Sequence, residues 1–241
     1  MDIDLGLLVA TAISIGFVHT LIGPDHYLPF VAMSAARKWT HRKTLLVTAV
    51  CGLGHVAGSV LIGVVGIALG AALHRLEWLE GLRGDLAAWA LVAFGLVYMA
   101  WGLKQAWRRR EHSHEHVHAD GTRHRHAHGH QAQDEHMHVH LQVDTDGVRS
   151  ITPWALFVVF ILGPCEALIP LLMYPASQHS AWGVGLVVLA FGITTIVTML
   201  GLVYLAVRGL ERFPLASAER YSHALAGAAL SLCGAGIVLG L

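Results

Sequence analysis

The sequence predicts an all-α, polytopic membrane protein, and three observations lead to that fold class. Apolar residues make up 55% of the 241 positions, whereas charged residues make up 13%, about half of their usual share in a soluble domain. The apolar residues gather into stretches of about 20 or more, long enough to cross a hydrocarbon core of roughly 30 Å. Because backbone groups in lipid must find partners within their own segment, each stretch is expected to be a helix.

Six transmembrane helices are predicted, at residues 5–24, 45–73, 86–107, 152–175, 182–207 and 221–241. The first is not expected to be a cleaved signal peptide, because the segment before it, Met1–Asp4, is acidic rather than basic. The three cysteines, Cys51, Cys165 and Cys233, all lie in apolar stretches. They do not have the character of a disulfide framework.

Lysine and arginine are unequally divided between the two sides of these predicted helices. Fourteen of the 16 follow the first, third or fifth helix, and only Arg75 and Arg83 lie on the other side. Because cytoplasmic loops carry the excess of positive charge, both termini are expected outside. The protein is accordingly expected in the bacterial cytoplasmic (inner) membrane, with the long polar loop after the third helix in the cytoplasm.

Two Gly-Pro elements, 140 residues apart, indicate an internal repeat. Proline lacks an N–H and interrupts a helix, so Gly23-Pro24 and Gly163-Pro164 are expected to break the first and fourth helices. At the same offset, Gly52 matches Gly192 and His55 matches Thr195. Three helices in each half would insert the second copy upside down. The predicted architecture is thus a 3+3 inverted repeat of residues 1–107 and 151–241, a plan typical of secondary transporters.

Ionisable residues within the predicted helices form the candidate site. His19, Asp25 and His26 surround the first break, and His55 lies in the second helix. Such residues are costly in lipid and are functional by default, and imidazole and carboxylate are ligands for divalent transition metals. We expect these four to form one metal site, although kinked-helix and core-histidine roles are the alternatives. The second half would contribute to the path through Cys165, Glu166, Thr194, Thr195 and Thr198.

Residues 108–150 form the only long polar segment and contain eleven of the 18 histidines. Such a segment cannot bury a core and is expected to be disordered. Its imidazoles are expected to capture metal ions, and a solvated linker without a metal role is the alternative. These histidines are His112, His114, His116, His118, His124, His126, His128, His130, His136, His138 and His140.

The motifs together resemble the nickel/cobalt transporter group, in particular its UreH-like branch, which is related to the NicO exporters within the NiCoT–LysE-type six-span transporters. The resemblance rests on His19…Asp25-His26, Leu53-Gly54-His55 and the segment from Gly163 to Ala176. It implies a non-enzymatic secondary transporter of Ni²⁺ and Co²⁺, with the four site residues as the metal path and no stated direction. One departure is the spacing, because the uptake permeases have His-x4-Asp-His, whereas five residues separate His19 from Asp25.

Two other functions are compatible with these residues. Gly163-Pro164-Cys165 also resembles the Pro-Cys elements of the DsbD/CcdA transmembrane thiol–disulfide electron carriers, which share a three-plus-three plan. Disulfide exchange needs two cysteines that can meet, however, and the matching position in the first half is Asp25. The third interpretation is a metal-buffering or metal-sensing membrane protein without transport.

The expected partners are a divalent metal ion and the lipid bilayer, and a homo-oligomer is compatible with the sequence. No nucleic acid and no prosthetic group are expected. The chain contains no Gly-x4-Gly-Lys-Ser/Thr sequence, which is the pattern that cradles the phosphates of ATP.

Overall fold

The computed structural model describes residues 2–70, 73–108, 112–117, 123–128, 146–163, 165, 167–178, 180–212 and 216–240. Its helices are α1 (Asp2–Ile22), α2 (Leu28–Arg37), α3 (His41–Ala68), α4 (Leu73–Arg108), α5 (Asp146–Leu162), α6 (Leu168–Ser177), α7 (Ala181–Leu210) and α8 (Ser222–Val238). Short 3-10 helices occupy Pro24–His26 and Ala216–Tyr221, and two strands are β1 (His112–Val117) and β2 (Arg123–His128).

The chain is an integral membrane protein built on helices, as the sequence predicts. Within the described residues, five helices are long and apolar enough to cross a membrane: Leu5–Ile22, His41–Ala68, Leu73–Arg108, Ala181–Leu210 and Glu219–Val238. Large apolar side chains such as Leu61, Val97 and Leu189 are exposed on their outer faces. Apolar surface of this extent marks contact with lipid rather than water.

The fourth predicted helix, residues 152–175, is divided in the structure. α5 ends at Leu162 and α6 begins at Leu168, so the Gly163-Pro164 element separates them as expected from the missing N–H of proline. The apolar part of α5, Pro153–Leu162, and α6 are both short. A ten-residue helix rises only about 15 Å, roughly half of the hydrocarbon core. Neither piece crosses the membrane by itself.

The predicted boundaries of the second and third helices are wrong. α3 ends at Ala68 rather than at residue 73, and α4 begins at Leu73 rather than at residue 86. The charged stretch that resembles a loop is therefore helical. It is accommodated because Glu80 and Arg83 lie three positions apart on one helix face, where they pair with each other.

The helices pack around two buried clusters of apolar side chains. One cluster includes Phe30, Met33, Phe160 and Met199, and the other includes Phe191 with its neighbours on α6 and α7. α1 packs on α7, α3 on both α5 and α7, and α2 on α8. Each cluster has an aromatic side chain beside one histidine of the candidate site, as described below.

α4 and α8 cross with their backbones in direct contact. A Cβ atom built on Gly227 would lie 2.6 Å from the carbonyl oxygen of Gly95, and one built on Gly234 would lie 2.7 Å from that of Ala88. Only glycine permits such an approach. Because the contacts run in opposite order along the two helices, α4 and α8 are antiparallel.

The His-rich segment contains the two strands. They pair antiparallel, with His112 opposite His128, His114 opposite His126, and His116 opposite His124. The remaining histidines of the segment, His118, His130, His136, His138 and His140, lie outside the described residues. The disorder and the metal capture expected for residues 108–150 stay predictions.

Candidate metal centre

The first half of the site is built by the break after α1. Gly23 is extended (φ −78°, ψ 99°), and Pro24–His26 form a 3-10 helix that turns the chain into α2. A Cβ on Gly23 would lie 2.6 Å from Nδ1 of His26 and 2.7 Å from Oδ1 of Asp25. The glycine therefore allows both side chains to fold back against the main chain. This places His26 beside the last turn of α1, where His19 lies.

Three histidines from α1, the 3-10 helix and α3 converge at this break. The ring centroid of His26 lies 4.7 Å from that of His19 and 5.2 Å from that of His55. One ring nitrogen from each lies within 4.8 Å of the other two. His26 and His55 are buried, and His19 lies near Phe191 of one cluster whereas His55 lies near Phe160 of the other.

Asp25 acts on this group through His26. Because a carboxylate can only accept, Nδ1–H of His26 donates to Oδ1 of Asp25, at 3.2 Å, and it also lies 3.2 Å from the carbonyl oxygen of Gly23. This leaves Nε2 of His26 with its lone pair free. Asp25 was expected as a fourth ligand, but the close set of ligand atoms contains only the three histidines. A carboxylate that holds the far nitrogen of a histidine is the usual outer partner of a metal-bound imidazole.

The unpaired nitrogens fit a metal ion. Nε2 of His19 and Nε2 of His26 are buried without a hydrogen-bond partner, an arrangement that costs about 1–3 kcal/mol per group. The ring nitrogens of His55 make no hydrogen bond of normal geometry, and the nearest backbone partner is that of Phe160. A tetrahedral ion with bonds of about 2.0–2.1 Å would hold its ligands roughly 3.3 Å apart. The three imidazoles would have to close by about 1.5 Å to reach that spacing, within the range of small side-chain rotations.

The second break is held by a buried ion pair on α4 that the sequence analysis did not identify. Glu80, whose side chain is fully buried, pairs with Arg83. Nη2 of Arg83 donates to the carbonyl oxygens of Ile161 (2.6 Å) and Gly163 (3.3 Å) at the end of α5. On the other side of the break, the N–H of Cys165 donates to Oε2 of Glu80 at 3.1 Å. The pair thus satisfies backbone groups that the break between α5 and α6 leaves without helical partners.

The ion pair also reaches the helix that carries His55. The hydroxyl of Ser59, one turn along α3, donates to Oε2 of Glu80 at 3.0 Å and accepts from Nη1 of Arg83 at 3.3 Å. A Cβ on Gly163 would lie 3.3 Å from Nδ1 of His55. The second break therefore lies directly against the candidate centre, and its position relative to His55 is fixed through α3 and α4.

The other residues expected from the second half are placed differently. Cys165 is fully buried, in the cluster that contains Phe191. Thr194 donates to the carbonyl oxygen of Ala190, and Thr195 is buried with its hydroxyl unpaired, near Gly16 of α1. Thr198 is half-buried on α7, and Pro164 and Glu166 lie outside the described residues. Among the described residues, only the three histidines form a close group of metal-ligating side chains.

Comparison with known proteins gives one finding. A family model described as "Cytochrome C biogenesis protein transmembrane region" matches residues 28–236. No curated protein and no solved structure gave a significant match. The matched segment contains His55, Glu80, Arg83 and Cys165, whereas His19, Asp25 and His26 precede it.

This match corrects the predicted family. The assignment to the nickel/cobalt transporters is wrong, and with it the expected Ni²⁺/Co²⁺ transport and the expected transported ion, because the family that matches along most of the chain is described by cytochrome c biogenesis. The error has a physical origin. Gly-Pro pairs break a helix in any membrane protein, and intramembrane histidines can serve as buried polar groups in many of them. Unrelated families can therefore share both features. The sequence signal for the matching family was the resemblance of Gly163-Pro164-Cys165 to the Pro-Cys elements of the DsbD/CcdA carriers, which the sequence analysis gave as the alternative and which the match favours.

Replacing Arg83 tests how the second break is held. In Arg83→Leu, Glu80 would remain buried without its partner and two carbonyl groups would lose a donor. We expect the free energy of unfolding in detergent, measured by denaturant titration, to fall by roughly 3–5 kcal/mol. Arg75→Leu, on the same helix but exposed, is the matched control and should change it by less than about 0.5 kcal/mol. Equal effects of the two substitutions would contradict the role assigned to the pair.

Proposed function

We propose that this chain, which belongs to the family of cytochrome c biogenesis protein transmembrane regions, binds a transition-metal ion within the membrane through His19, His26 and His55. The observation that carries the proposal is the convergence of three imidazoles with buried, unpaired ring nitrogens within 4.8 Å. Unpaired buried nitrogens are costly in the absence of a ligand. A bound cation would remove this cost, because each neutral imidazole offers one lone pair.

The donor set narrows the class of ion. Three neutral imidazoles with a carboxylate behind one of them suit Zn²⁺ or Cu²⁺, which are commonly bound by histidine. Asp25 would orient His26 and raise its basicity from the far nitrogen. The protein would serve to hold the ion inside the membrane, which is the metal-buffering role considered from the sequence.

Metal titration of purified protein tests this proposal. To remove binding by the polar segment, the eleven histidines of residues 108–150 are replaced by glutamine in the full-length chain, which we call the loop-glutamine background. In it, His26→Ala should weaken Zn²⁺ binding by more than about 100-fold, and Asp25→Asn should weaken it by roughly 10–100-fold, as outer partners usually do. Isothermal titration calorimetry gives both affinities.

The matched control is His41→Ala. His41 is also a helix histidine that contacts a carboxylate, Glu211, at 3.1 Å, but it lies away from the close group. Its replacement should leave the affinity for Zn²⁺ unchanged. Binding that persists equally in His26→Ala and in the unaltered background would reject the centre.

A second candidate function is transmembrane thiol–disulfide electron transfer, which the family match and the position of Cys165 at the second break favour. The thiolate of Cys165 would attack a partner's disulfide, form one S–S bond and release one partner thiolate. A second thiolate would then attack the Cys165 sulfur of this mixed disulfide, so that the other partner thiolate leaves and a disulfide between Cys165 and the second thiol remains, which completes the two-electron reduction of the partner's disulfide. Cys51 and Cys233 lie in the other buried cluster, so the second thiol would come from a partner protein.

Trapping experiments separate the two functions. If the chain carries electrons, acid quenching and alkylation of membranes should reveal a mixed disulfide that disappears in Cys165→Ser and persists in Cys51→Ser. If the chain only holds a metal ion, Cys165→Ser should keep its affinity for Zn²⁺ within about threefold, because the thiol is not among the three ligands. A mixed disulfide dependent on Cys165 would establish the second function.

We also propose that the helices form six membrane spans arranged as a 3+3 inverted repeat, with α5 and α6 together completing the fourth. Reciprocal packing supports this. A Cβ on Gly52 would touch Ile196, at 3.4 Å, and a Cβ on Gly192 would touch Val56, at 3.1 Å. These two contacts exchange when 140 is added to each number of the first half. The pairing of α1 with α7 and of α5 with α3 exchanges in the same way.

Labelling of introduced cysteines tests the orientation proposed from the positive charges. The proposal places the protein in the bacterial inner membrane, with residues 108–150 cytoplasmic and both termini outside. A membrane-impermeant maleimide added to intact cells stripped of the outer membrane should label Gln178→Cys, which is exposed after α6, and not Asp120→Cys. The native cysteines are buried and provide the background. Labelling of both variants from outside would contradict the orientation.

A further inference from the structure

A cavity of about 60 Å³ adjoins His55 and Asp25 of the candidate centre and is lined by residues of α3, α4, α5 and α8. Its size allows several water molecules. Asp25 and His55 are its ionisable lining residues, and the remaining wall is made of small or apolar residues: Gly84, Ala87, Leu91, Val159, Phe160, Gly163 and Ile237. The cavity thus extends from the candidate centre to residues of α4, α5 and α8 that are not metal ligands.

Burial divides the members of the centre into two groups. The side chains of His26 and His55 are almost fully buried, whereas His19 is half-buried and the side chain of Asp25 is 32% exposed. Of the two members that line the cavity, Asp25 is the more exposed, and it is therefore the one that a hydrated ion in the cavity can meet first. An anion in the wall of an otherwise apolar cavity concentrates cations there, because low-dielectric walls focus its field.

The wall that α4 contributes follows one face of the helix. Gly84, Ala87 and Leu91 are spaced by three and four positions, so they lie above one another over about 10 Å. Gly84 and Ala87 leave the space open because their side chains are small. Ile237 is in the last turn of α8, which runs antiparallel to α4, so the cavity leads towards the end of the molecule where α8 finishes. That end lies opposite to the end of α4 that precedes the histidine-bearing strands.

We infer that this cavity is the path by which a hydrated divalent cation reaches His19, His26 and His55, from the side of the membrane where α8 ends, with Asp25 as the first contact. The inference rests on the proposed metal binding. It adds a side of access and two residues, Gly84 and Ala87, whose small size keeps the path open. Neither residue is a ligand, so obstruction of the path should change rates rather than the final affinity.

The decisive variant is Ala87→Phe in the loop-glutamine background, compared with Leu86→Phe, which adds an aromatic ring to the exposed neighbouring position. Zn²⁺ alone is the probe, and its association is followed by stopped-flow competition with a fluorescent chelator. Ala87→Phe should lower both the association and the dissociation rate by about tenfold or more and keep the dissociation constant within about threefold. Leu86→Phe should match the unaltered background. An unchanged association rate in Ala87→Phe would overturn the path.

A second measurement covers the case in which Ala87→Phe fails to fold. Ala87→Cys makes a smaller change, and benzyl methanethiosulfonate attaches a ring to it after folding. Modification should slow Zn²⁺ association, and dithiothreitol should restore it. Failure of the reagent to react, or a modified protein with unaltered rates, would reject the path. Absence of Zn²⁺ binding in the unaltered background would instead reject the proposed function itself, so the two failures are distinguishable.

Discussion

Proline within an apolar segment imposes the constraint on which this structure depends. Each Gly-Pro break removes helical hydrogen bonds, and the freed backbone groups must find partners where lipid offers none. At the first break the chain supplies its own solution, since a 3-10 helix follows Gly23 and His26 folds back towards its carbonyl oxygen. At the second break the partners come from another helix, through Glu80 and Arg83 of α4. The candidate centre lies where the first and second breaks come together.

The two breaks are connected through His55 and its surroundings. Gly163, held by Arg83, lies against one nitrogen of His55, and Ser59 joins the same helix to the ion pair. His26, from the first break, lies beside His55, with their ring centroids 5.2 Å apart. A buried ion pair usually adds little net stability, so its value here lies in fixing the position of a backbone that proline has released. The ligands can then remain close although each belongs to a different element.

The parts of the molecule that depend on local chemistry could be predicted from the sequence. Pro24 and Pro164 show where the helices break, and the length of the apolar segments shows that the protein lies in a membrane. Both features could therefore be predicted from the sequence. The start of α4 could not, because charges at residues 75–85 look like a loop until Glu80 and Arg83 are known to pair along one face. The direction of Asp25 towards His26 depends on the rotation of two adjacent side chains, which no spacing rule specifies. The family assignment failed because short motifs record physical needs rather than ancestry.

The spacing of Glu80 and Arg83 has a consequence for biosynthesis. α4 is made before α5 and α6, so it has to enter the membrane before the carbonyl groups of Ile161 and Gly163 exist to receive Arg83. Isolated charges at the centre of a helix oppose insertion by about 2.5–3.5 kcal/mol each. Because the two residues are three positions apart, they can neutralise each other as soon as the helix forms. The nascent helix can therefore carry Glu80 and Arg83 into the bilayer as a neutral pair. When α5 and α6 arrive, the same two side chains bind the backbone groups at the second break.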